Sequence, residues 1–288
     1  MQIIVTGILL SGTYALIALG LTLQYGVARI MNIANGETLV AGCFIAFWLF
    51  VSLSINPIFG LLIIAPLAFA LNWGIYQVAL RPLVQRAKNR GMLEVDSILA
   101  TFGLMFLLQG LMLLAFGGEY VNYQFLAERF MLFGSAYGLN RVVAFCAAVL
   151  IAVALYLFLY HTRQGTAVRA VAADPASANL VAIDVAKTAA MAFALGGALT
   201  ACGGALLSTF YTFNAAMGIT FTMKALIIVI MGGVGDVRGA IIAALMLGVA
   251  ETAVASLIDP GLTIAATYAL FVLVLLIRPQ GLFGRRTT

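Results

Sequence analysis

The sequence predicts an all-α, polytopic membrane helix bundle of about eight or nine transmembrane helices, with short helices outside the bilayer. Three observations carry this. First, 64% of the 288 residues are apolar, 9% are charged and the mean hydropathy is +1.12. Soluble domains carry roughly 25% charged residues, so lipid must solvate most of this surface. Second, nine apolar stretches, at about 3–27, 36–54, 57–80, 97–116, 139–160, 188–211, 221–235, 239–257 and 262–277, mostly approach the ~20 residues a span needs. Third, Lys and Arg are distributed unevenly. With the N-terminus outside and nine crossings, the inside receives Arg29, Arg81, Arg86, Lys88, Arg90, Arg163, Arg169, Lys187, Arg238, Arg278, Arg285 and Arg286. The outside receives Arg129, Arg141 and Lys224, a split of 12 against 3.

In order along the chain, the first apolar stretch lacks a preceding basic region, so it reads as a membrane helix and not a cleaved signal. "MNIANGETLVAG" (31–42) places Asn32, Asn35, Gly36 and Glu37 before the second helix. With a helix start near Gly36, Glu37 lies in the first turn, where a carboxylate suits the positive end of the dipole. That role is preferred over contact with a solute ammonium. The stretch as a whole reads either as a capped loop at the inner surface or as a flexible break at membrane depth. The loop at 117–138, "GGEYVNYQFLAERFMLFGSAYG", faces outward and is rich in aromatics. An interfacial aromatic belt is its preferred reading; a docking surface for an extracytoplasmic partner is the other.

The stretch at 221–235 is short and runs into "MGGVGDVRG", which suggests a broken or re-entrant element. Here Gly232, Gly233, Gly235 and Asp236 offer a second hydrogen-bonding break before a helix of small residues, in loose correspondence with the first, and both sets are candidates for the translocation path. Equally, Asp236 and Arg238 are solvated at a turn made by Gly235 and Gly239. Small residues repeat every fourth position at Ala240, Ala244, Gly248, Thr252 and Ser256, and again at Gly196, Thr200 and Gly204. Helices in lipid need such stripes for close approach, within the chain or at a subunit interface. Glu251 lies mid-helix with no cation four residues away, so it faces the bundle interior or snorkels outward. Cys43, Cys146 and Cys202 fit neither a zinc site nor a disulfide framework and read as small buried helix residues.

The chain has no G-x-x-x-x-G-K-S/T phosphate loop, no H-E-x-x-H and no G-x-S-x-G. Its one histidine, His161, ends a helix at the inner face. No basic run with interleaved aromatics suggests nucleic acid. A chain of this kind moves a solute and catalyses nothing itself.

One stretch breaks the apolar pattern: "RQGTAVRAVAADPASANLVAIDVAKT", at 163–188. Arg163 to Ala173 is composed for helix. Asp174 can cap a second helix with Pro175 at its first position. The result is two short, bent helices outside the bilayer, over about 161–187, with side chains small enough for another protein's groove to close over. A flexible linker would carry Gly, Ser and Lys instead.

This stretch resembles the cytoplasmic coupling segment of the permeases of hydrophobic amino acid uptake, the branched-chain amino acid ABC transporter family. "MNIANGE" is similar to that family's "NIAHGE" stretch, with Asn35 where histidine is common. "IMGGVGDVRGAIIAALMLGVAE" and the closing "RPQGLFGRR" (278–286) also match family patterns. The four ordered motifs cover nearly the whole chain, as one transmembrane domain over 1–288. The resemblance implies an ATP-driven importer of branched-chain or related amino acids, working by alternating access in a bacterial inner membrane. It implies a second, non-identical permease subunit, two cytoplasmic ATPases and an extracytoplasmic binding protein. ATP and magnesium would sit on the ATPases, with no cofactor in this chain. Arg163, Gly165, Arg169, Ala173, Asp174, Pro175, Asn179 and Asp184 would mark the ATPase contact. The alternatives are a family member for urea or short amides and an ion-coupled secondary transporter, which would need titrating carboxylates such as Glu37 or Glu251.

Overall fold

Backbone polar groups in hydrocarbon must be satisfied within the chain, which makes long apolar stretches helical. The computed structural model describes residues 2–86, 90–126, 128–132 and 135–284. Lys88, Arg285 and Arg286, counted above toward the basic face, lie outside them. The elements are α1 (Gln2–Ala28), α2 (Asn35–Leu53), α3 (Pro57–Ile75), α4 (Arg81–Arg86), α5 (Arg90–Phe116), β1 (Arg129–Leu132), β2 (Ser135–Gly138), α6 (Leu139–His161), α7 (Arg163–Ala173), α8 (Pro175–Leu180), α9 (Val185–Leu207), α10 (Gly218–Gly232), α11 (Val237–Leu257) and α12 (Thr263–Ile277). Eight helical spans are long and apolar enough to cross a membrane, and α10 is a shorter apolar helix. Eight long spans and one short one match the expected bundle.

α9 is the centre: it packs against α1, α2 and α3 and is almost wholly buried. α1 joins it to α11. Small residues set these approaches. A Cβ on Gly20 of α1 would lie 2.4 Å from the Gly196 carbonyl oxygen of α9. The α11 stripe packs the same way, with Ala240 and Ala244 fully buried and Gly248 against Gly7 and Ser11 of α1. Both stripes are therefore seams inside the chain, and only Ser256 of the α11 series is exposed. By contrast, α5, α6 and α12 expose Leu99, Leu114, Leu150 and Leu276, as lipid-facing helices do. Cys146 belongs to that face and is exposed, whereas Cys43 and Cys202 are buried as expected.

Three boundaries depart from the apolar pattern. α3 continues through a π turn at Tyr76–Leu80 into α4, past the expected end at 80. α5 begins at Arg90, before the expected start at 97. Hydropathy marks where hydrocarbon ends, and a helix carrying Glu94 and Asp96 continues beyond it. Among the described residues, the loop between α5 and α6 departs from all-α: β1 and β2 pair antiparallel, Arg129 opposite Gly138. Outside the hydrocarbon a two-stranded ribbon satisfies its own backbone.

Contacts also sort the loops onto two faces. Arg29 at the end of α1 acts electrostatically on Asp174, and Gly26 packs on Gly235. The α7–α8 segment and the α10–α11 turn therefore share one face, the basic one. On the other, Val121 pairs with Phe213 and Asn140 donates to the Thr209 carbonyl. Lys224 belongs to neither face. It sits within α10, which removes it from the outside count.

Candidate functional site

The α7–α8 segment is fixed by side chains that cap its turns. Thr162 Oγ1 accepts from the Gly165 N–H at 2.9 Å and starts α7. Asp174 accepts from the Ala176 N–H at 3.0 Å and from Ser177 Oγ, with Pro175 opening α8. Asp184 accepts from the Lys187 N–H and starts α9. The Ser177 hydroxyl and the Ala176 N–H hold the Asp174 carboxyl below its ordinary range. Its stabilisation is therefore complete at neutral pH and is lost as pH falls through that lowered value.

Of the eight residues assigned to this segment, Arg163, Arg169, Ala173, Asp174, Asn179 and Asp184 are exposed and Pro175 is half-buried. Gly165 is buried. Its α-carbon lies against Phe158 and Leu159 at the end of α6, where a Cβ would meet the Phe158 carbonyl oxygen at 2.2 Å. Gly165 therefore seats the segment on the bundle and presents nothing outward. Arg169 also turns back, donating to the Leu159 carbonyl at 3.0 Å and lying over the Tyr160 ring. Sequence reasoning missed the outermost residues: Leu180 is 88% exposed and Val181 is 69% exposed. Beside them an open groove of about 650 Å³ is lined by Pro175, Asn179, Ile183 and Ala186 among others. Two bulky aliphatic side chains in water at a helix end were the available signal.

The residues at 32–37 occupy a different depth. Asn35 Oδ1 accepts from Thr200 Oγ1 at 3.0 Å, and the Gly36 N–H donates to Thr222 Oγ1 at 2.8 Å. Thr200 is about 22 Å along α9 from its start, at 1.5 Å per residue, so α2 begins well inside the span. The reading of 31–42 as a loop at the inner surface is thus overturned. Residues 29–34 fold back along α1, with Asn32 Nδ2 donating to Gln24 Oε1. Glu37 does lie in the first turn of α2, whose N-cap Ala34 supplies no side-chain bond. Its carboxylate also abuts Gly218, at the start of α10. It thus stands between two helix N-termini, both favourable for negative charge. Asn35 Nδ2 and Glu37 Oε2 are buried without a hydrogen-bond partner.

Gly232, Gly233, Gly235 and Asp236 do not join this cluster; they lie about 15 Å further along α10, at the basic face. Gly233 and Gly235 adopt positive φ. The Leu282 and Phe283 N–H groups donate to the Met231 and Gly232 carbonyls, so the closing "GLFG" pins the end of α10. Asp236 caps α11 through the Gly239 N–H at 2.8 Å. Gly239 makes no turn. It sits inside α11 against Gly232.

A further cluster was not foreseen. Lys224 Nζ of α10 lies 2.6 Å from Glu251 Oε1 of α11 and donates to Tyr14 Oη of α1 at 2.9 Å. Tyr14 in turn donates to Glu251 Oε2 at 2.9 Å. Glu251 does face the bundle, but with a cation that no same-helix rule could find.

The family model described as "Branched-chain amino acid transport system / permease component" matches residues 3–278. The high-affinity branched-chain amino acid transport system permease protein LivH of Escherichia coli K12 is 31% identical, over 99% of this chain and 96% of its own length. BraD of Pseudomonas aeruginosa, a permease protein of the same description, is also 31% identical over the same shares. Among solved structures, that titled "PsaBC from Streptococcus pneumoniae in complex with Fab" aligns with a TM-score of 0.50 at 10% identity, covering 98% of this chain and 94% of that one. At that identity the likeness concerns the fold alone. The chain belongs to the branched-chain amino acid transport permease family.

Proposed function

We propose that this chain is the membrane-spanning subunit of an ATP-driven importer for branched-chain or related amino acids in a bacterial inner membrane. It pairs with a second permease subunit, is driven by two ATPases on the basic, cytoplasmic face, and receives solute from a binding protein on the other face. The N-terminus is then outside and the C-terminus inside. The single observation carrying this reading is the α7–α8 platform. It is seated on α6 through Gly165, capped at each turn, and crowned by exposed Leu180 and Val181. A permease without a nucleotide site needs such a rigid projection to receive force from a motor. The buried Asn35–Glu37 seam, where α2 and α10 both begin inside the span, is the candidate for the path's moving centre.

Uptake into proteoliposomes tests this. With the second permease subunit, both ATPases and the binding protein, leucine accumulates only with ATP. Accumulation by this chain alone under a proton or sodium gradient contradicts the proposal.

A further inference from the structure

A charged pair at membrane depth is costly, because the attraction between the ions only partly returns what their removal from water costs. Lys224 and Glu251 are nonetheless held there with care. Tyr14 accepts from one and donates to the other, and the Lys224 ammonium lies 5.0 Å from the Tyr14 ring centroid and 5.5 Å from that of Phe221. A carboxylate beside a phenol hydroxyl and the Phe221 ring is the complement of a primary ammonium. In effect, the lysine fills an ammonium site built by its neighbours.

The two side chains are not fully enclosed by the chain, keeping 10% and 12% exposure. Charges at this depth face water or protein in preference to acyl chains. Tyr211, 45% exposed and edge-on to Phe221, flanks the aromatic wall.

We infer that Lys224 and Glu251 form a zwitterion-binding site on the transport path, into which an amino acid inserts its ammonium against Glu251 and its carboxylate against Lys224. This deepens the proposal above and rests on it. Insertion replaces one ion pair by two, and every charge stays compensated. A neutral amide gives no such exchange, and a solute of single charge leaves one protein group unpaired, which is strongly unfavourable. The aromatic wall then meets the apolar side chain of the solute. The site selects the zwitterion and rejects the amide.

The test uses the assembled transporter in proteoliposomes with leucine. Lys224→Met combined with Glu251→Gln removes both charges together, which leaves none unpaired and preserves assembly. Glu251→Asp keeps both charges and withdraws the carboxylate by one methylene. The expected result is normal subunit assembly in both, with leucine uptake at least tenfold lower in the double variant and at least threefold lower in Glu251→Asp. Wild-type uptake by either assembled variant overturns the site and leaves a structural pair. Failure of the wild-type complex to move leucine overturns the functional proposal, and this inference with it.

Discussion

The Cβ that a glycine lacks marks where the bundle is least forgiving. A Cβ on Gly36 would lie 1.9 Å from the Gly218 carbonyl oxygen and 2.4 Å from Thr222 Oγ1, so α2 and α10 would have to part. Gly36→Ala should destabilise the purified protein by about 3 kcal/mol, the upper end for overpacking. Gly74→Ala is the control, because nothing lies within 4 Å of its new methyl. It should leave stability unchanged or raise it by up to about 1 kcal/mol through helix propensity. Thermal unfolding in detergent, followed by the fraction remaining monodisperse, separates the two. Asp236→Ala removes the cap on the Gly239 N–H and should cost about 1 kcal/mol in the same assay. Caps of this kind were legible in the sequence, since Asp174 before Pro175 is a local signal. The Lys224–Glu251 pair was not, because it joins residues 27 apart on different helices.

Among elements, the α7–α8 projection is where sequence and structure agree most closely, and for a physical reason. Its caps and its proline act over three or four residues, so the local order of residues determines them. The ends of α3 and α5 were less legible because apolarity reports on lipid and helicity does not stop where lipid does. Depth was least legible: nothing local in "MNIANGE" says that α2 begins opposite the middle of α9, which depends on Thr200 and Thr222 from distant helices. The projection makes its own prediction. Leu180→Asp or Ala173→Glu places charge on an exposed surface, so membrane insertion and yield should match the wild type. Copurification of the ATPases should fall at least tenfold. A pull-down on tagged ATPase with quantified permease checks both, and undiminished copurification by Leu180→Asp removes the apolar tip from the contact.

Taken whole, the molecule is a central helix, α9, packed against α1, α2 and α3, with a lipid-facing rim and two faces of different character. Its sidedness rests on the basic face holding both the α7–α8 projection and the pinned end of α10. Through that common face a motor outside the bilayer could move helices within it. The most direct measurement is maleimide labelling of Leu180→Cys in a Cys146→Ala background, because Cys146 is the exposed one of the three natural thiols. An impermeant maleimide should label Leu180→Cys in inside-out vesicles and not in right-side-out ones, with labelling blocked once the ATPases are bound. Labelling from the outer side, or labelling indifferent to the ATPases, would show that the α7–α8 projection is not the ATPase contact.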